Sequence, residues 1–235
     1  MKLTYLVLML FTLLGPLAMS FEKQIRFREK WLDFFKAVIL PAFFFIVWDI
    51  VFTSKGIWSF NPAYYLGLEI FLLPLEEWLF FIIVPFAAIF VIEVVGFFID
   101  TEKINSLAIS LAICVLLLAL AILYYDRLYT VTTFSMLIIT IVYYEFVHRA
   151  SWLSQFYIGY AVVGIGFLII NGVLTSLPVV EYNDAKNMGF RIFTIPFEDY
   201  FYGMLLIILT SGFYFKNETG EAGNELYIPG AAQAK

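Results

Sequence analysis

Charged and metal-binding side chains are scarce in this sequence, and their scarcity excludes several classes of protein. Only 14% of the 235 residues are charged, and the net charge is −5. The chain has no basic tract that would follow a phosphate backbone, so we expect no nucleic-acid partner. The single cysteine, Cys114, excludes a disulfide within the chain, and no group of residues has the spacing of a metal site.

Apolar residues make up most of the sequence, 63%, with a mean hydropathy of +0.91. Soluble domains are only about 45–50% apolar. A helix needs ~20 residues to cross about 30 Å of hydrocarbon, and no alternating pattern of a barrel is present. We therefore predict an all-α integral membrane protein with about seven transmembrane helices. The predicted spans are 2–20, 34–54, 75–97, 106–125, 129–147, 153–173 and 197–215.

The distribution of Lys and Arg predicts the topology. The first run resembles a signal peptide, but the basic cluster at 23–30 favours a helix that is retained in the membrane. One predicted side carries nine Lys and Arg residues: Lys23, Arg26, Arg28, Lys30, Lys36, Lys103, Arg149, Lys216 and Lys235. The other carries five: Lys2, Lys55, Arg127, Lys186 and Arg191. We expect the N-terminus outside and the C-terminus inside a bacterial cytoplasmic membrane.

An internal repeat divides the chain. A shift of 122 positions places 45–80 on 167–202 without a gap. Polar and special residues coincide in this register: Asp49 with Asn171, Asn61 with Asn183, Gly67 with Gly189, Pro74 with Pro196, and Glu76-Glu77 with Glu198-Asp199. We predict two three-helix repeats, 1–100 and 128–215, a linking helix in 101–127 and a flexible tail over 216–235. An odd linking helix makes the repeats parallel, so both acid pairs lie on one side.

The paired acids are the candidate catalytic residues. Glu76-Glu77 and Glu198-Asp199 each follow a proline at the start of a helix. Acids there also complement the helix dipole by about 0.3–1 kcal/mol each, which is the structural alternative. Ionisable groups at a membrane boundary favour a functional role. Because adjacent residues point about 100° apart on a helix, one acid of each pair can face the bundle.

Several residues near these acids could support chemistry. Asp49 and its mate Asn171 stand at the same depth, and Asn61 and Asn183 are expected to orient the carboxyl groups. Aromatic residues surround the acids, although an interfacial belt is the alternative for most of them. The expected supporting aromatics are Trp48, Trp58, Phe60 and Tyr202. Carboxyl groups among aromatic rings suit acid–base chemistry on an apolar, electron-rich substrate, with rings stabilising a carbocation.

The two Pro-x-Glu-(Glu/Asp) motifs, Trp48-Asp49 and the Phe60-Asn61-Pro62 loop resemble the heterodimer-type, membrane-integral lycopene cyclases. The resemblance covers about residues 3 to 215 and indicates two fused halves. It implies a lycopene β-cyclase that isomerises the acyclic end of lycopene without net redox change. Glu76 or Glu77, and Glu198 or Asp199, would then donate and accept the proton. The absence of a proline after Asn183 departs from the pattern, and the number of active sites stays open.

The resemblance also defines the expected partners and the main rival. The substrate would be a lipophilic carotenoid, with the lipid bilayer and other carotenoid enzymes as further partners. No cofactor motif is evident in the sequence. The alternative is a transporter or proton pathway that uses the paired intramembrane acids. It predicts polar residues across the bilayer, for which Glu93 and Glu145 are the deep candidates.

Overall fold

A computed structural model describes residues 2–221, except for the side chains of 102 and 217–221. The described chain contains seven α-helices, which agree with the predicted spans. They are α1 (Thr4–Met19), α2 (Trp31–Ser54), α3 (Leu75–Phe98), α4 (Ser106–Leu123), α5 (Leu128–Val142), α6 (Leu153–Ser176) and α7 (Phe197–Glu221). A π-helical segment, Tyr143–Val147, continues α5. Helix α7 extends into the predicted tail, whose remaining residues lie outside the described part of the chain.

Five stretches of the described chain are long and apolar enough to span a bilayer: Phe27–Ser54, Leu75–Phe98, Ser106–Leu123, Leu128–Val147 and Leu153–Ser176. Helix α1 is also apolar but has only 16 residues. Large apolar side chains are exposed on most of these helices, and α4 is the least buried span. Such a surface is stable in lipid rather than in water. The chain is therefore a helical membrane protein.

The two halves repeat each other in three dimensions. The bounds of α2 and α6 differ by 122 residues at both ends, and α3 and α7 begin 122 residues apart. Helices α2 and α6 both end, and α3 and α7 both begin, at the end of the bundle that carries the loops. The repeats are therefore parallel, as predicted, and both acid pairs lie at that end.

Short strands in the loops, which the sequence analysis did not predict, join the halves. Strand β1 (Trp58–Phe60) pairs antiparallel with β4 (Val180–Tyr182). In this register Ser59 lies opposite Glu181, its own mate at the 122-residue shift, so the pseudo-twofold axis passes between them. Each loop also contains a minimal hairpin, β2 (Glu69–Ile70) with β3 (Leu73–Pro74), and β5 (Arg191–Ile192) with β6 (Ile195–Pro196).

The helices exchange partners between the halves. Helix α2 of the first half makes its most extensive contacts with α7 of the second, and α6 of the second half packs in the equivalent way on α3 of the first. Within each half, α1 packs on α3 and α5 packs on α7. The main apolar core contains residues of α2, α3, α5, α6 and α7. Residues of both halves consequently meet at the loop end of the bundle.

Candidate active site

A small cavity that contains acidic side chains in an aromatic lining lies between the two halves, directly beneath the β1–β4 pair. Its volume is about 50 Å³, room for a few water molecules. Three acids line it: Asp49 from α2, Glu77 from α3 and Asp199 from α7. We call this cavity the acid pocket. Its other lining residues are Tyr5, Trp58, Phe60, Phe80, Tyr129, Phe167, Asn171, Leu174, Val180, Tyr182, Tyr202 and Gly203.

The two pocket acids of the first half, Asp49 and Glu77, each accept one hydrogen bond from an aromatic side chain. The Tyr5 hydroxyl donates to Glu77 Oε2, and Trp58 Nε1 donates to Asp49 Oδ1 at 2.5 Å. Asp49 is only 2% exposed, and its Oδ2 has no hydrogen-bond partner among the described residues. Such unpaired buried oxygens are rare in folded proteins, and the first acid of each pair also has one in the described part of the chain. Asp49 and Glu77 also lie close enough to interact electrostatically.

The acid of the second half is bonded more extensively. Asp199 Oδ1 accepts from the Tyr129 hydroxyl at 2.7 Å. Its Oδ2 accepts from the Tyr182 hydroxyl at 2.6 Å and from Asn171 Nδ2 at 3.0 Å. Three donors thus fix the position of the Asp199 carboxyl group, whereas one fixes that of Glu77. Asp199 and Glu77 line the same pocket from opposite halves.

The first acid of each pair lies outside the acid pocket and binds its own loop. Glu76 Oε1 accepts the backbone N–H of Leu66 at 2.8 Å, and Glu198 Oε1 accepts that of Met188 at 2.7 Å. Thr130 also donates to Glu198 Oε1, at 2.5 Å. Both glutamates are fully buried. The two acids of a pair therefore point in different directions, and Glu77 and Asp199 are the members that reach the pocket.

The loop asparagines form turns and contact the opposite loop rather than these acids; Asn61 Nδ2 donates to Glu181 Oε1 at 3.3 Å. Asn61 Oδ1 accepts the N–H of Ala63, and Asn183 Oδ1 accepts that of Ala185, both at 3.0 Å. These are matching turns in the two loops, so the missing proline after Asn183 does not change the local conformation. Contact between either amide and a carboxyl group of α3 or α7 is absent from the described residues. Asn171, in contrast, does contact Asp199.

Aromatic rings form one wall of the acid pocket. The Trp58 ring lies 5.2 Å from Tyr129, 6.0 Å from Tyr182 and 5.9 Å from Tyr202, measured between ring centroids. Phe60 also lines the pocket, whereas Trp48 lies behind it, 5.7 Å from Tyr202. Burial and the neighbouring Asp199 carboxylate raise the pKa of the Tyr182 phenol well above its ordinary value. Tyr182 therefore remains a hydrogen-bond donor throughout the physiological pH range.

The sequence analysis did not identify Tyr5, Tyr129 or Thr130 as site residues. They lie in the first turns of α1 and α5 and contact the acids directly. Tyr5 and Tyr129 are equivalent but 124 residues apart, so an ungapped shift of 122 does not align them. Their position at the start of matching apolar spans was the available signal.

The two deep acids of the transporter alternative bind side chains near the opposite end of the bundle. Glu93 forms an ion pair with Lys30 at 2.8 Å. Glu145 accepts hydrogen bonds from Ser106 at 3.2 Å and Ser110 at 2.7 Å. None of these residues lines the acid pocket. Both acids are thus accounted for by local contacts.

Comparison with known families identifies the class of protein. The lycopene cyclase family model matches residues 2–95 and 126–216, which correspond to the two halves and exclude the linking helix. Searches of curated proteins and of solved structures found no match to the chain. The family acts on carotenoids, and its match covers most of the chain. The chain therefore belongs to the lycopene cyclase family and is a membrane-embedded carotenoid cyclase.

Proposed function

We propose that this enzyme is a lycopene β-cyclase that closes the acyclic ends of lycopene without net redox change. A carboxylic acid protonates the terminal double bond and leaves a tertiary carbocation. The next double bond attacks that cation, which forms the ring carbon–carbon bond and moves the positive charge to the ring. A carboxylate then removes a ring proton, so that one proton enters and one leaves. The overall reaction therefore requires no electron donor or acceptor.

The observation that carries this proposal is the acid pocket itself. It combines carboxyl groups from both halves with a wall of aromatic rings. An aromatic ring facing a cation contributes about 0.5–2 kcal/mol, more when the site excludes water. The pocket therefore offers a proton donor, a proton acceptor and cation stabilisation in one place. We infer one active site per chain, which neither half contains alone.

We propose that Glu77 donates the proton and Asp199 accepts it. Hydrogen bonds from three donors favour the ionised form of a carboxyl group, and Asp199 has three. Glu77 has one such donor and lies near both Asp49 and Asp199. Like charges in one buried site favour a shared proton, as in other paired-carboxylate enzymes. Asp49 would then help to keep the proton on Glu77.

The charge distribution supports a proposed orientation in the membrane. The described Lys and Arg residues number five at the loop end of the bundle and eight at the opposite end. The positive-inside rule then places the acid pocket near the outer surface of a bacterial cytoplasmic membrane. A cysteine introduced at Ser59, the exposed residue of β1, would test this orientation. Its reaction with an impermeant reagent on whole cells is expected if the loop end lies outside.

The function is tested by expressing the chain in a bacterium that accumulates lycopene and separating the pigments. We expect a monocyclic and a bicyclic product with β rings. Glu77→Gln should leave lycopene unchanged, whereas Glu76→Gln, its neighbour on the same helix, keeps an oxygen for the Leu66 N–H and should retain activity. Unchanged lycopene from the wild-type chain, with the protein shown in the membrane, would contradict the proposal. Rings of another type would contradict only the β assignment.

A further inference from the structure

A second, apolar cavity adjoins the acid pocket and opens on the surface of the bundle. Its volume is about 270 Å³, and its walls come from α1, α3 and α6, with Ile207 of α7 at its base. Phe80, Phe167, Asn171 and Leu174 line both cavities, so only side chains separate them. We call this second cavity the groove.

The shape of the groove suits a rod-like apolar molecule. Along α3 it extends from Phe80 to Val91, a rise of about 16 Å at about 1.5 Å per residue. That length reaches from the acid pocket to roughly the middle of a hydrocarbon layer of about 30 Å. Its residues are almost all apolar, and Val162 and Ile169 at its rim are 45% and 59% exposed. The groove therefore opens sideways towards lipid.

The pseudosymmetric position in the other half is filled. Subtracting 122 from Gly166 and Ile170 of the groove gives Phe44 and Trp48, and adding 122 to Ala87 gives Leu209. The Phe44 and Trp48 rings are in contact, with centroids 5.5 Å apart. Small side chains in one half thus correspond to large ones in the other.

More rings pack into the same filled region. Phe45, the mate of Phe167, lies 5.8 Å from Trp48 and 4.9 Å from Tyr202. Tyr202 is itself the mate of Phe80. Among the described residues, aromatic rings thus occupy the position that corresponds to the groove, with Phe44 38% exposed, and we call this set the aromatic plug.

We propose that the groove binds the polyene chain of the carotenoid and delivers one end group at a time to the acid pocket. The proposal rests on the proposed function and extends it, because it assigns a substrate site and an order of events. With a single groove, the two ends of one molecule cannot be cyclised together. The monocyclic product has to leave and bind again in the reverse direction. The polyene fits because the groove is apolar along its length. Its end group reaches the acids when the side chains that separate the two cavities move aside, since the acid pocket of about 50 Å³ is itself too small to hold that group.

Gly166 provides a precise test of the groove. A Cβ atom added there meets no protein atom within 4 Å, so a substitution begins in open space at the wall of the groove. Gly166→Phe copies Phe44, the residue at the equivalent position of the plugged half. Ile165→Phe is the matched control, since Ile165 is the adjacent residue, is 64% exposed and does not line the groove. Ala87→Leu tests the opposite wall in the same way.

The readout is lycopene that co-purifies with the inactive Glu77→Gln chain. We expect Gly166→Phe in this background to reduce bound lycopene at least tenfold, and Ile165→Phe to leave it unchanged. In the active chain, Gly166→Phe should reduce cyclisation to a similar extent. Should Gly166→Phe fail to reach the membrane, Ala87→Leu is expected to give the same loss.

Other results separate the possible failures. Equal lycopene binding by Gly166→Phe and its parent would overturn the groove proposal. If the variant keeps its lycopene but loses bound phospholipid, the groove holds a lipid acyl chain, and the proposal is overturned as well. If the wild-type chain does not cyclise lycopene but Gly166→Phe still abolishes co-purification, the proposed reaction fails and the groove assignment stands.

Discussion

The two halves have the same fold but place different groups around the acid pocket. In the first half, Glu77 accepts a hydrogen bond from one hydroxyl group, and Asp49 accepts one from an indole N–H. In the second half, the residue equivalent to Asp49 is Asn171, which itself donates to Asp199. The repeat therefore supplies two matching helical frames, and substitutions within them produce a poorly bonded acid opposite a well-bonded one. The two halves of the repeat thus form one pocket, and the substitutions between them give its carboxyl groups different numbers of hydrogen bonds.

The groove and the plug differ in the same manner. Both are formed by equivalent helices, yet one is lined by Ala87 and Gly166 and the other contains Phe44 and Trp48. A change of side-chain volume at a few positions is enough to close a cavity, because protein interiors are close-packed. The comparison teaches that a pseudosymmetric enzyme of this kind needs only one functional route to its active site. The following predictions test how far the two halves depend on each other.

Separating the halves should have the largest effect. Because α2 packs on α7 and α6 packs on α3, neither half can complete the acid pocket. We expect fragments 1–103 and 104–235 to be inactive when expressed singly and active when expressed together. Pigment analysis of the three strains measures this, with the intact chain as control. Cyclisation by either fragment alone would show that a half contains a complete site.

Removing single hydroxyl groups should reveal the difference between the two carboxyl groups. Tyr5→Phe removes the hydroxyl that would stabilise the Glu77 carboxylate formed on proton transfer, so we expect about a tenfold lower rate, roughly 1.4 kcal/mol. Tyr129→Phe leaves Asp199 with two donors and should reduce the rate by less, about threefold. Initial rates of lycopene consumption in isolated membranes give both values. A larger loss in Tyr129→Phe than in Tyr5→Phe would reverse the proposed order.

The loop glutamates should affect stability more than chemistry. Glu76→Ala removes the acceptor of the Leu66 N–H, and the loss of this partly buried hydrogen bond costs about 0.5–1.5 kcal/mol. Glu198→Ala should cost more, since Glu198 accepts from both Met188 and Thr130. Thermal unfolding of the purified variants in detergent compares them. The control is Glu181→Gln, at the exposed position of β4, which keeps an oxygen for Asn61 Nδ2. Equal melting temperatures for Glu76→Ala and the wild type would remove the proposed loop role.

Much of the fold could be predicted from the sequence because the repeat contains polar markers. The register of Asn61, Gly67 and Pro74 with their mates predicted the repeat, and the odd linking helix predicted parallel halves. The structure confirms this arrangement. The exchange of helices between halves was not predictable. Helices surrounded by lipid are apolar on every face, so their periodicity does not identify the buried face. The short β1–β4 pair was likewise hidden within the loops.

The candidate site was only partly predictable for similar reasons. The sequence located both acid pairs, but not which member faces the pocket, since that depends on how far each helix is rotated in the bundle. Tyr5 and Tyr129 were missed because their spacing differs from the repeat by two residues. The two loop asparagines form local turns, which short polar side chains readily do in competition with distant partners.

The central claim is that one site uses acids from both halves, and single acid variants test it most directly. Asp199→Asn and Glu77→Gln should each reduce total cyclisation by at least about 100-fold, the usual contribution of a general acid or base. Lycopene consumption and both cyclic products would be quantified for each variant at equal membrane content, with Glu181→Gln as control. A shared site predicts loss of all cyclic product in either variant. If either one retained about half of the wild-type turnover, each half would have its own site, and the account would be contradicted.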